Sequence, residues 1–374
     1  MRPSQWRRYW PRQGDLVWWS DVPSHRGEFL ALERIECEGV PNRGGSMTDR
    51  VRIGFIGAGG IARSHMRRLV AIPQAEVVAF AEPSEASMAR MIEAFPEVVD
   101  VPVFADHREM LASVEMDAVE ILSPHTQHYQ QGLDVFAAGK HLLMEKPMVC
   151  TVAHAHSLMR AAADRVFMIS YQRHFQGPYI YIREQIRQGA LGELQYVAAL
   201  QAQNWLRNTR GKWRQEKALS GGGQLNDSGS HLVDILLWTT GLAAESVFSY
   251  QRNYDTEVDI DSPISLKFTN GAQGPLSIVG DSPMWWEEFS IWGSEGVILY
   301  RNGTILQRVY GQGEMTEISE LPPDSTPDQN FIDAILGRDE VRVPPECGLR
   351  VIELTEAAWK SAELGRAVRV AELA

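Results

Sequence analysis

From Val51 onward, short unbroken apolar runs alternate with stretches in which apolar residues recur at helical spacing. Val51, Ile53, Phe55 and Ile56 form the first run, as expected of a parallel strand buried on both faces. Ile61, Met66, Leu69 and Val70 then follow the helical period. The alternation continues with a strand at Glu76 to Ala81, a helix at Glu85 to Ala94, a strand at Pro102 to Phe104 and a helix at Arg108 to Ser113. Next come a strand at Ala118 to Leu122, a helix reaching Ala138 and a strand at His141 to Glu145. A helix at Thr151 to Ala163 and a strand at Val166 to Tyr171 complete the series. Such alternation predicts βαβ units and a parallel, doubly wound sheet.

The pattern changes near Leu194. Apolar runs at Leu194 to Gln203, Ile264 to Phe268, Gly274 to Val279, Glu288 to Trp292 and Val297 to Tyr300 are strand-like, with Asn270-Gly271 and Asn302-Gly303 as hairpin turns between them. Helices are expected at Leu225 to Thr239 and at Cys347 to Leu364, the latter with Val351, Leu354, Ala358 and Ala362 on one stripe. The fold class is therefore α/β: an N-terminal doubly wound domain over 47–171 and a C-terminal α/β domain with a largely antiparallel sheet over 172–344. A helix and tail over 345–374 close the fold. Residues 1–46 have no period, carry four of the eleven tryptophans and end in a Pro/Gly-rich stretch before Met47. They are expected to be a disordered leader, the alternative being an arm that packs its tryptophans on a partner subunit.

Composition narrows the function classes. A net charge of −12 gives no general basic field, which argues against nucleic acid or an anionic membrane as partner. No apolar stretch approaches the roughly 18 to 20 residues that span a bilayer. Arg7-Arg8 is followed by a polar, broken segment and not by the apolar core of an export signal. Cys37, Cys150 and Cys347 are far apart and odd in number, so neither a disulfide framework nor a zinc site is indicated, and a cytoplasmic location is expected.

The first strand runs straight into Gly57-Ala58-Gly59-Gly60-Ile61-Ala62, which fits G-x-G-x-x-G/A. Its first glycine allows a tight turn, its second lets the backbone approach a pyrophosphate, and its small last residue lets helix and sheet pack closely. Gly57, Gly59, Gly60 and Ile61 are accordingly expected to hold a dinucleotide at the helix N-terminus. An acidic residue at the end of the second strand, about 20 residues on, should hold the ribose hydroxyls. Glu82 sits there, slightly later, and its charge would repel a 2′-phosphate. NAD is therefore expected in preference to NADP.

Taken together, the glycine turn, AVEILSPHTQHYQQGLDVFAAGKHLLMEKPM, YQRHF, GALGEL, SGGGQLNDSGSHLVDILLW and ECGLRVIELTEAAWKSAELGRAV resemble the glucose-fructose oxidoreductase and inositol dehydrogenase (Gfo/Idh/MocA) family. The similarity runs from Arg52 to Val370. It implies a Rossmann domain, a second domain with an open sheet often used for oligomerisation as dimer or tetramer, and oxidation of a secondary alcohol on a sugar or cyclic polyol. It also implies that Ser123, Pro124 and His128 form the loop under the nicotinamide ribose, and that Glu145 and Lys146 of the EKP segment face the cofactor.

Lys146 ends an apolar strand at the carboxyl edge of the parallel sheet, where a cation can stabilise a developing alkoxide. By itself it reads more readily as a solvated strand-end lysine. Asp227 and His231 are four apart and would share a helical face, as a carboxylate that orients a general base requires; the bland reading is a surface pair or cap. The resemblance favours His231 as base, Asp227 as its partner and Lys146 as the third catalytic group. Arg173, Arg214 and Trp213 are candidate contacts to substrate hydroxyls or a carboxylate. His125 with His128, and His154 with His156, lack a completing ligand cluster, so no metal is expected. Two other readings compete with a dehydrogenase: a glycosidase of the same fold that uses NAD for transient oxidation, and a non-catalytic dinucleotide-sensing regulator.

Overall fold

An apolar strand with no polar face needs cover on both sides. In the computed structural model, which describes residues 50–373, β1 (Val51–Ile56) lies in the middle of a six-stranded parallel sheet. The expectation for residues 1–46 lies outside the described residues. The helices that follow β1 are α1 (Gly60–Leu69), α2 (Glu85–Ala94), α3 (His107–Ser113), α4 (His128–Ala137) and α5 (Val152–Ala162). They alternate with β2 (Ala75–Ala81), β3 (Val103–Phe104), β4 (Ala118–Ile121), β5 (His141–Met144) and β6 (Phe167–Ile169). Spatial order is β3-β2-β1-β4-β5-β6, the doubly wound order in which the chain reverses direction between β1 and β4. The crevice at that reversal lies beyond the carboxyl ends of the strands, where the glycine turn sits. Ser84, Asp106 and Thr151 start α2, α3 and α5 by accepting a backbone N–H of the first turn.

The second half forms a nine-stranded sheet around β7 (Leu194–Asn204). Its other strands are β8 (Ala244–Ser249), β9 (Ser262–Phe268), β10 (Gln273–Val279), β11 (Asp281–Gly293), β12 (Gly296–Arg301), β13 (Thr304–Val309), β14 (Thr316–Ile318) and β15 (Val368–Arg369). All pairs are antiparallel except β7 with β10. Both expected hairpins form, and Asn302 and Gly303 take positive φ as a tight Asn-Gly turn requires. β9 alternates strictly between buried and exposed residues. One face is therefore packed, against α6 (Gly177–Arg187), α9 (Gly229–Thr240) and α11 (Pro345–Leu364), and the other is open. Between them lie the short helices α7 (Trp205–Asn208) and α8 (Lys217–Ser220), with α10 (Pro327–Ile335) packed on α1. α11 touches α5 and β6 of the first sheet as well as α9 and β8 of the second, so the chain end ties the two sheets together.

One expected boundary is corrected. The helix anticipated from Leu225 begins at Gly229, because the preceding residues are held as tight turns. The Asp259 carboxylate accepts the Gly223 and Leu225 N–H groups, and the Gly229 N–H reaches Gln224 O at 2.8 Å. Among the described residues, no helix is long and apolar enough to cross a membrane.

Candidate active site

The glycine turn opens one wall of a cleft of about 650 Å³. Gly57 has φ +101°, and a Cβ there would stand 2.9 Å from Leu122 O, so only glycine fits. Gly59, by contrast, has open space where a Cβ would be. No side chain caps α1 and no acidic residue occupies its first turn, so its N–H groups and dipole face the cleft unopposed. Glu82, at the end of β2, is fixed by two backbone donors: Ala58 N–H to Oε2 at 2.8 Å and Ser84 N–H to Oε1 at 2.8 Å. Gly60, Ile61, Ser123 and Pro124 also line the cleft, as do Trp213 and Arg214. A glycine cradle, a free helix N-terminus and a carboxylate beyond it fit the pyrophosphate and ribose of a dinucleotide.

Three residues expected against the cofactor, His128, Glu145 and Lys146, do not line the cleft. His128 is fully buried, with Nδ1 2.8 Å from Pro147 O and Nε2 2.9 Å from Ser123 O, so it ties the loop after β4 to the one after β5. Glu145 turns inward: Oε1 lies 3.1 Å from His65 Nε2 and Oε2 accepts the Lys146 N–H at 3.1 Å. Both sit under the cleft as supports and neither lines it.

The chemistry converges on Asp227, which is 5% exposed. Its Oδ1 accepts Lys146 Nζ at 3.0 Å, while its Oδ2 accepts Trp205 Nε1 at 2.8 Å and Arg214 Nε at 3.0 Å. Lys146 Nζ also reaches the Asp227 carbonyl at 3.2 Å. Burial alone would raise the Asp227 carboxyl, but Lys146, His125 and Arg214 outweigh it and hold the group well below the usual carboxylate range. Arg214 thus belongs to both places: it lines the cleft and holds the carboxylate that anchors Lys146.

The expected Asp227–His231 partnership is corrected. Asp227 lies in the turn before α9, not on its face, and its carboxylate is committed to three other donors. His231 Nδ1 is buried without a partner, and the ring meets Tyr171 edge-on at 5.9 Å. Burial, then the cations Lys146 and Arg173, push this imidazole well below its ordinary value, so it is neutral near neutral pH. Arg173, expected as a substrate contact, pairs with Glu287 of β11 and leaves Nη1 buried and unpartnered. Two neighbours of Asp227 were not assigned this place from sequence. Trp205 carries no local signal, and His125 was considered only as a metal ligand. His125 Nε2 lies 3.6 Å from Asp227 Oδ1, its Nδ1 3.1 Å from Ser220 O, and burial pushes it down to about 3.

A doubly wound domain with a glycine-turn cleft at its switch point defines a dinucleotide-binding protein. Residues 51–172 match the model of the oxidoreductase family with an NAD-binding Rossmann fold, and residues 179–299 match the GFO/IDH/MocA C-terminal domain. The chain belongs to the GFO/IDH/MocA family. It is 23% identical to levoglucosan dehydrogenase of Pseudarthrobacter phenanthrenivorans over 67% of this chain and 73% of that protein. It is 25% identical to scyllo-inositol 2-dehydrogenase (NADP(+)) of Bacillus subtilis over 57% of this chain, and spans 59% of that relative's length. The crystal structure of aldose-aldose oxidoreductase from Caulobacter crescentus, complexed with glycerol, has the same fold, with a TM-score of 0.75 at 22% identity over 86% of this chain and 99% of that one.

Proposed function

We propose that the protein is a dehydrogenase that oxidises a secondary alcohol of a sugar or cyclic polyol and prefers NAD to NADP. The observation that carries this reading is the shared position of Arg214, which lines the dinucleotide cleft and also bonds the carboxylate of the Lys146–Asp227 pair. When bound, the nicotinamide supplies the hydride acceptor. The chain's own residues handle the oxygen and its proton. Lys146 donates a hydrogen bond to the substrate oxygen and stabilises the charge that grows there as the C–H bond breaks. His231, neutral and partly exposed, takes the hydroxyl proton. Asp227 holds Lys146 in place, and Trp205 and Arg214 hold Asp227.

The sugar or polyol class comes from the named relatives, which are dehydrogenases of levoglucosan and scyllo-inositol. Preference for NAD follows from Glu82, whose fixed carboxylate would oppose a 2′-phosphate. The test is NAD reduction by the purified full chain against a panel of cyclitols, aldoses and anhydrosugars. Turnover of at least one, lost in Lys146→Met, supports the reading. Tight NAD binding with no turnover of any would overturn it.

A further inference from the structure

His65 occupies a core position of α1 beside Ala62, Met66 and Leu69, and three buried carboxylates surround it. Its Nδ1 lies 2.8 Å from Asp328 Oδ1 of α10 and 3.0 Å from Glu120 Oε2 of β4. Its Nε2 lies 3.1 Å from Glu145 Oε1. Arg68, one turn further along α1, pairs with the other oxygen of Asp328. Both ring nitrogens thus face carboxylate oxygens, and only the imidazolium can donate from both.

Electrostatics agree with that geometry. Burial alone would remove the proton, but Asp328 and Glu120 outweigh it and raise His65 well above its ordinary value. Burial would likewise raise Glu145, but the hydrogen bond and charge of His65 hold it down to about 2. Asp328 is kept low by His65 and Arg68 against its burial, whereas burial raises Glu120. A buried ion network of this kind adds little net stability over well-packed apolar residues of the same volume. What it holds in place is therefore the informative feature.

Glu145 is the link. Its first oxygen meets His65 and its second accepts the backbone N–H of Lys146 at 3.1 Å, just where the chain leaves β5. From that backbone the Lys146 side chain runs to Asp227. We propose that His65 is a positioning residue for Lys146, acting through the Glu145 carboxylate. The proposal rests on the reading of Lys146 as the group that holds the substrate oxygen. It extends that reading to α1, whose first residues line the cleft, so one buried cluster connects that helix to the backbone of Lys146.

The test uses the full chain without substrate. The rate at which an acylating reagent labels Lys146 is read by mass spectrometry, with the surface Lys360 as internal reference. Lys146 labelling should rise about tenfold in His65→Gln and in Glu145→Gln, with no further rise in the double variant, because both substitutions break one chain of contacts. On an active substrate the same variants should lose about 10²-fold in kcat with little change in KM or in NAD affinity. Should His65→Gln fail to fold, Glu145→Gln, which keeps the shape, carries the same test. Wild-type labelling of Lys146 in a folded variant, or additive effects in the double variant, would overturn the proposal. Labelling needs no turnover, so a failure of the dehydrogenase reading and a failure of this inference give different results.

Discussion

A hydroxyl that loses hydride from its carbon must lose a proton, and in the proposed mechanism His231 is the base and Lys146 the cation that serve this step. Lys146→Met and His231→Ala should lower kcat by roughly 10² to 10⁴, the usual scale of general acid–base catalysis, while NAD affinity measured by titration stays nearly constant. Because burial, Lys146 and Arg173 hold His231 down, the acid limb of the pH–rate profile should lie well below the ordinary histidine value of about 6.5. A limb at or above that value would remove His231 as base. Glu82→Ala should narrow the preference for NAD over NADP by roughly tenfold, equal to about 1.4 kcal/mol of lost repulsion; an unchanged ratio would show that Glu82 does not read the ribose. At this scale the sequence singled out Lys146, Asp227 and His231 as candidates but not who holds whom. Four-residue spacing implies a shared face only inside a helix, and Asp227 lies just outside one. Trp205 reaches Asp227 across a fold whose long-range pairing no local pattern encodes.

Elements were most legible where local chemistry and tertiary role agree. The parallel strands are continuous apolar runs, α2 falls where the helical period places it, and the two Asn-Gly turns close hairpins. α6 and α10 were not read. α6 begins at a Gly-Pro pair that resembles a turn, and buried Asp328 and Asn330 break the apolar stripe of α10. Backbone-critical glycines give the sharpest prediction here. Gly57→Ala should cost about 1–3 kcal/mol in backbone strain, seen as a lower Tm, together with a clear loss of NAD affinity. Gly59→Ala, which points into open space, should leave Tm within experimental error and weaken NAD binding alone. Equal effects at the two positions would contradict the assigned geometry.

For the molecule as a whole, the buried cluster sets a pH dependence of stability. His65 is raised in the folded state, so its contribution is fully present below about pH 6.5 and is lost as pH rises through the raised value. Glu145 and Asp328 are depressed, so theirs is present above the ordinary carboxylate range and lost as pH falls toward about 2. The Tm advantage of wild type over His65→Gln should therefore be largest near pH 5 to 6 and shrink toward alkaline pH. A difference independent of pH would show that His65 is not held as the cation. The central claim is that hydride leaves an alcohol carbon whose oxygen is held by Lys146, and one measurement addresses it directly. Single-turnover NAD reduction is followed with a substrate from the polyol panel and with the same substrate deuterated at the reacting carbon, in wild type and in Lys146→Met. The account predicts reduction in wild type, slowed by the deuterium, and a Lys146→Met variant that binds NAD normally but reduces it at least about 10²-fold more slowly. Reduction at the wild-type rate in Lys146→Met would contradict it.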